Sequence, residues 1–289
     1  MTLYVSDLDG TLLDREGKLS ARSRLGLTRL LEQGLLFTVA SARHVSSINS
    51  LLGDLPLQLP VISGNGAYIS DMRSGRHELV RTIEPALAQS IFAVVRAHGL
   101  MPFFSTHGPR GDQLFYHSAD NAGQQSFLDE RLSIGDPRLR QSKRLQDELR
   151  DPTVTFVLID REAPLRALQA AITELCGDAV ETHLAEDLYS PDWPWLTVHD
   201  KRASKDQAIQ TLAERYGLAD REVVVFGDHV NDVSMLRAAH RGIAMGNAID
   251  AVKREAHTVI GSHHVDSVVA FIEGDWKRQG APHHARTCS

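Results

Sequence analysis

Two aspartates with one residue between them, Asp7 and Asp9, close the short apolar run Leu3-Tyr4-Val5 and lead into Gly10 and Thr11. Far down the chain a second apolar run, Val223-Val224-Val225-Phe226, stops at Gly227-Asp228 and is followed by Asn231 and Asp232. Carboxylates gathered in one crevice repel one another unless a cation sits among them. A donor set made of oxygen suits Mg²⁺, which takes a few carboxylates, water and a substrate phosphate. Two more apolar runs end in small polar residues, at Ser41 and at Ser63-Gly64-Asn65-Gly66. Lys205 opens a helical pattern and could bring positive charge to a phosphate. In an open parallel sheet, ligands bind beyond the carboxyl ends of the strands, so these residues are expected to converge there.

The elements that must position them alternate in type. After the first run comes a helical pattern capped by Ser20, with Leu25, Leu27, Leu30 and Leu31 on its apolar side, closed by Gly34. A buried-strand pattern, a helix over 45–52 and a further strand ending at Ser63 complete the N-terminal part. Residues 204–275 repeat the grammar: a helix over 204–216, the strand at 223–226, a helix over 232–239 and a final strand and helix. Strands alternating with helices imply βαβ units and a parallel sheet. Between these parts the style changes, with strands at 102–104, 114–116 and 153–159, helices over 85–98, 123–132 and 163–175, and a polar loop over 105–112. The expected architecture is a doubly wound, Rossmann-like α/β core of residues 1–81 and 196–275. An α+β domain, 82–195, is inserted, and 276–289 form a disordered tail.

Composition narrows the function classes. The chain of 289 residues carries 31 Lys and Arg against 37 Asp and Glu, a net charge of −6. A mildly acidic chain is a poor nucleic-acid binder, and basic residues interleaved with aromatics are missing. No apolar stretch can span a bilayer and no leader pattern opens the chain, so the expected address is the cytoplasm, without a membrane partner. Two cysteines, Cys176 and Cys288, exclude a disulfide framework. The 14 histidines, His263-His264 and His283-His284 among them, follow no zinc spacing. Gly64-Asn65-Gly66 begins like a dinucleotide fingerprint, but Ile69 replaces its third glycine.

The run Asp7-Leu8-Asp9-Gly10-Thr11-Leu12-Leu13, then Ser41, Lys205 and Gly227-Asp228-His229-Val230-Asn231-Asp232, resembles the four motifs of the haloacid dehalogenase (HAD) superfamily. The insert between the second and third motifs is similar to the Cof-type branch with a C2 cap. The resemblance implies a Mg²⁺-dependent phosphatase acting on a small phosphorylated metabolite, such as a sugar phosphate, as a monomer or small homo-oligomer. In it Asp7 is the nucleophile that forms an aspartyl-phosphate, and Asp9 the general acid and base. Asp7, the backbone carbonyl of Asp9 and Asp228 hold the metal; Ser41 and Lys205 bind the phosphoryl oxygens; Asn231 and Asp232 support from behind. An acid at Asp9 marks phosphatases and mutases, where P-type ATPases carry Thr.

Arg43 and Asn65 beside the site, and His107 and Arg110 on the polar loop of the insert, are further candidates for substrate binding. Two departures stand out. Ser41-Ala42-Arg43 replaces the usual Thr-Gly-Arg, and Lys201 precedes Lys205 as a rival cation. The alternatives to a phosphatase are a phosphosugar mutase and a non-enzymatic, receiver-like protein that holds Mg²⁺ and phosphate. The segment Trp193-Pro194-Trp195 is expected to pack where the insert returns to the core.

Overall fold

The computed structural model describes residues 2–185 and 192–279. Strand β1 (Thr2–Ser6) is buried along its whole length, as a central strand of a parallel sheet must be. Its neighbours are β2 (Leu36–Val39) and β12 (Glu222–Gly227), both parallel to it. Beyond β12 lie β13 (Arg241–Ala244) and β14 (Thr258–Val259), giving the order β14-β13-β12-β1-β2. A parallel bridge between Ala40 and Ile62 adds β3 (Val61–Ser63) beyond β2. The order reverses between β1 and β12, so the chain winds outward in both directions from that point. β4 (Tyr68–Ser70) runs antiparallel to β3, and β5 (His77–Val80) follows it.

The helices flanking this sheet are α1 (Ala21–Glu32), α2 (Val45–Leu52), α6 (Lys205–Arg215), α7 (Val233–Ala238), α8 (Asp250–Glu255) and α9 (Ser267–Arg278). Ser20 caps α1 as expected, its hydroxyl accepting from the Ser23 N–H. Leu27, Leu30 and Leu31 of that helix enter the core, whereas Leu25 points to solvent. α9 runs through Trp276, which is buried, to Arg278, so the ordered chain passes the expected start of the tail; 280–289, with His283, His284 and Cys288, lie outside the described residues.

Val80–Ala203 form a second compact unit. Its mixed sheet has the order β10-β11-β9-β6-β7-β8, built from β6 (Phe103–Gly108), β7 (Gly111–Tyr116), β8 (Leu139–Gln141), β9 (Thr153–Ile159), β10 (Val180–Ala185) and β11 (Trp195–Asp200). All pairs are antiparallel except β7 with β8. Alternate side chains face opposite ways. Phe104, Phe156, Leu158, Leu196 and Val198 meet α3 (Pro85–Ala97) and α5 (Glu162–Cys176), while Phe103, Leu114, Ile159 and Trp195 meet α4 (Ala122–Ser133).

Two further expectations change. The polar loop at 105–112 is the β6–β7 hairpin. The return to the core falls at Ser204 rather than 196, because β11 pairs with β9 and β10 inside the inserted sheet. Among the described residues, no helix is long and apolar enough to cross a membrane.

Candidate active site

The site lies where the strand order reverses, at the ends of β1 and β12. The Asp7 N–H donates to Phe226 O (3.0 Å), which carries the β1–β12 pairing one residue past β1 and fixes the Asp7 backbone. The chain then turns sharply through Gly10 at φ +75°, and the Leu13 N–H closes on Leu8 O. Gly10 is obligatory on two grounds: its backbone is left-handed, and a Cβ there would overlap the Asp228 carboxylate. The Thr11 hydroxyl donates to Asp228 Oδ1 (2.8 Å), and Asn247 Nδ2 donates to Gly10 O (2.8 Å). Thr11 stands in the first motif without a role predicted for it, and Asn247 lies outside every motif.

Lys205, the first residue of α6, points its ammonium between two carboxylates. It donates to Asp7 Oδ1 (2.7 Å) and Asp232 Oδ1 (2.6 Å), and its side chain is fully buried. Gly66 packs so tightly on the Ser204 backbone that a side chain there would overlap it, which sets the start of α6 and hence Lys205. Asp232 Oδ2 accepts the N–H groups of Asp228 (2.9 Å) and His229 (3.0 Å), so both its oxygens are engaged. Asp232 therefore touches Lys205 directly and also caps the turn that follows β12. Lys201, the rival cation, belongs to the inserted unit and faces Asp178 (3.6 Å).

The charges are strongly coupled. Burial pushes the Asp7 carboxyl well above its ordinary range; Lys205 pulls it back, and Asp232 and Asp228 push it further up. Burial, with Asp232 beside it, raises Asp228 to about 7, against the pull of the Thr11 hydroxyl and Lys205. Burial alone would lower the Lys205 ammonium, but Asp232 and Asp7 hold it above its usual value. Ligand oxygens of Asp7, Asp228 and Asp232 lie within 4.8 Å of one another. Among the described residues, the second oxygens of Asp7 and Asp228 carry no hydrogen bond. A set of hard oxygen donors, with excess negative charge and two unused oxygens, fits a divalent cation such as Mg²⁺.

The residues past β2 and β3 form the adjoining wall. Ser41 is buried; its hydroxyl accepts the Arg43 N–H (3.1 Å) and its carbonyl accepts the Asn65 N–H (2.9 Å). Asn65 sits at φ +55° and accepts a hydrogen bond from Asn231 Nδ2 (3.0 Å), which ties this turn to the segment after β12. Arg43, expected to bind substrate, grips Asp9 in this structure: Nε donates to Oδ2 and Nη2 to Oδ1, both at 2.7 Å. His107 and Arg110 belong to the inserted unit. His107 Nδ1 lies 2.7 Å from Asp112 Oδ1, and Arg110 pairs with Asp151 (3.0 Å) and Glu148 (3.6 Å). His263 Nδ1 lies 2.7 Å from Leu13 O and His264 Nδ1 2.8 Å from the Ser262 hydroxyl.

Known proteins resemble this chain along most of its length. Residues 4–272 match the family model of haloacid dehalogenase-like hydrolases. A pyridoxal phosphate phosphatase of Escherichia coli is 30% identical over 279 residues, covering 92% of this chain and 95% of that one. A 5-amino-6-(5-phospho-D-ribitylamino)uracil phosphatase of Bacillus subtilis is 22% identical, covering 94% and 96%. A Thermotoga maritima crystal structure superposes with a TM-score of 0.75 at 26% identity, covering 94% of this chain and 96% of that one.

Proposed function

The chain belongs to the haloacid dehalogenase-like hydrolases and is a phosphoric monoester hydrolase of their Cof-type branch, and on that footing we propose that it hydrolyses a small phosphorylated metabolite through an aspartyl-phosphate on Asp7. The observation that carries this reading is the ammonium of Lys205 bridging Asp7 and Asp232, with Asp228 alongside, at the point where the strand order reverses.

Asp7 attacks phosphorus, and the bond from phosphorus to the ester oxygen breaks with its electron pair going to that oxygen. Asp9 supplies the proton the departing oxygen needs. Water then attacks the phosphorus of the aspartyl-phosphate, its proton passes to Asp9, and inorganic phosphate leaves with Asp7 restored. Lys205 uses two of its three N–H donors on Asp7 and Asp232, leaving the third for a phosphoryl oxygen, with the Ser41 hydroxyl as a second ligand. A dianion approaching a carboxylate meets strong repulsion, so fixed positive charge is the main requirement of the step. Mg²⁺, held by Asp7, Asp228 and the Asp9 carbonyl, would supply the remaining neutralisation of the phosphoryl oxygens.

The inserted unit sets the choice of leaving group in this reading, and the cytoplasm is the compartment that supplies such metabolites. The relatives act on a phosphorylated pyridine and a phosphorylated ribitylaminouracil, which makes a phosphomonoester on a small heterocycle or polyol the first class to try. The test is phosphate release from p-nitrophenyl phosphate, pyridoxal 5′-phosphate and a sugar phosphate panel. It is run with Mg²⁺ or EDTA, on wild type and Asp7→Asn. Release that needs Mg²⁺ and disappears in Asp7→Asn is expected. Isomerised ester without free phosphate would point to a mutase, and release that survives Asp7→Asn would overturn the role of Asp7.

A further inference from the structure

Asp9 is the group that must meet the leaving oxygen, yet both its oxygens are taken. The guanidinium of Arg43 grips them in parallel, Nε on Oδ2 and Nη2 on Oδ1 at 2.7 Å each, the fork-on-fork geometry of a strong charge-assisted pair. The grip is braced, since Arg43 Nη1 also donates to the Ser47 hydroxyl (3.2 Å) at the start of α2. The backbone N–H of the same arginine donates to the Ser41 hydroxyl (3.1 Å), so the guanidinium stands two residues from a proposed phosphoryl ligand. Unlike Asp7, Asp228 and Asp232, which are buried, Asp9 and Arg43 keep 26% and 22% of their side-chain surface exposed. The pair is thus reachable by an incoming anion and is not sealed in the core.

We propose that Arg43 is a two-position residue: it holds Asp9 in the free protein and passes to the phosphoryl oxygens of a bound ester, releasing Asp9 to face the leaving oxygen. The exchange is chemically reasonable because a guanidinium fork fits phosphate as well as carboxylate, and a phosphate dianion carries the larger charge. It also links arrival of the right ligand to availability of the acid, so that Asp9 is withheld while the site holds no ester. This inference rests on the phosphatase reading above and adds a competition, between Asp9 and the ligand, for one guanidinium.

Competition has a thermodynamic signature that does not need turnover. The dissociation constant of inorganic phosphate is measured by calorimetry at saturating Mg²⁺ on wild type, Asp9→Ala, Arg43→Gln and the double variant. Asp9→Ala keeps the backbone carbonyl and frees the guanidinium, so phosphate should bind about tenfold tighter. In the Arg43→Gln background the same change should alter affinity less than about twofold. A gain of equal size in both backgrounds would be the plain removal of a negative charge and would overturn the exchange; so would no gain in Asp9→Ala. As a second readout, the Nε–H nuclear resonance of Arg43, identified by its loss in Arg43→Gln, should move with phosphate to the position it takes in phosphate-saturated Asp9→Ala. A resonance that stays put while phosphate binds overturns the proposal. Wild type that neither binds phosphate nor releases it from any ester would defeat the phosphatase reading itself, whereas activity without coupling defeats the exchange alone.

Discussion

Lys205 shows at the scale of one residue how much of the site is electrostatic. Its side chain is wholly buried, and a buried ammonium is tolerated only because Asp7 and Asp232 stand at hydrogen-bond distance on either side. Lys205→Met should therefore do two things. It should remove turnover, and it should destabilise the metal-free protein by about 3 kcal/mol, since two buried carboxylates lose their partner. Urea unfolding in EDTA would measure the second effect, and an unchanged midpoint would show that the carboxylates relax without the cation. The positions of Asp7, Asp228 and Lys205 could be read from sequence because each sits just past a strand or at a helix start, where local pattern fixes its place. The Asp9–Arg43 grip and the Asn247 bond to Gly10 could not, since residues far apart in the chain meet only through the finished fold.

At the scale of elements, the strands of the core sheet are held to α9 by a polar network. The Tyr4 hydroxyl on β1 donates to Asp275 Oδ2 (2.7 Å), and Arg241 on β13 donates to both oxygens of Asp275 (2.6 and 3.1 Å) and to Glu222 on β12. Burial would raise the Asp275 carboxyl, but the hydrogen bonds from Arg241 and Tyr4 outweigh it and hold the group at about 2, below its ordinary 3.8. A carboxyl whose folded value is depressed adds stability that is complete above the unfolded value and is lost as pH falls through the folded one. Asp275→Asn should therefore cost on the order of 1 kcal/mol at pH 7, allowing for partial screening by solvent, with the deficit shrinking between pH 4 and pH 2. Urea midpoints of the two proteins across that range check it; a deficit independent of pH would mean that packing, not charge, is lost. The same scale shows where pattern reading falls short. β10 is half-buried throughout, and β8 has only three residues, so neither gives a clear period. β11 is not among the predicted strands at all: its residues fall at and past the expected boundary at 196, and even clear alternation cannot tell which sheet a strand joins.

At the scale of the whole molecule, the doubly wound order explains why one end of the core sheet carries chemistry and the other carries glue. Outward winding from β1 and β12 leaves a gap between the connections past Ser6 and Gly227, and the carboxylates stand in it. Three carboxyls share one ammonium, so folding packs acidic groups together at a local cost, seen in the raised Asp7 and Asp228 carboxyls. A ligand that binds only the folded chain recovers that cost by mass action, about 2.7 kcal/mol at one hundred times its dissociation constant. Mg²⁺ at that excess should raise the calorimetric midpoint by roughly 5 °C over EDTA in a chain of this size. The shift should collapse in Asp228→Asn, which removes a ligand, and persist in Asp275→Asn, which lies in the network that ties β1, β12 and β13 to α9. A shift of equal size in all three proteins would mean that Mg²⁺ acts elsewhere on a surface of net charge −6, and no shift in wild type would remove the acidic cluster as a cation site. Comparing the two variants separates binding at the switch point from a general effect of salt on an acidic chain, because each has lost one carboxylate charge and only one of them belongs to the cluster.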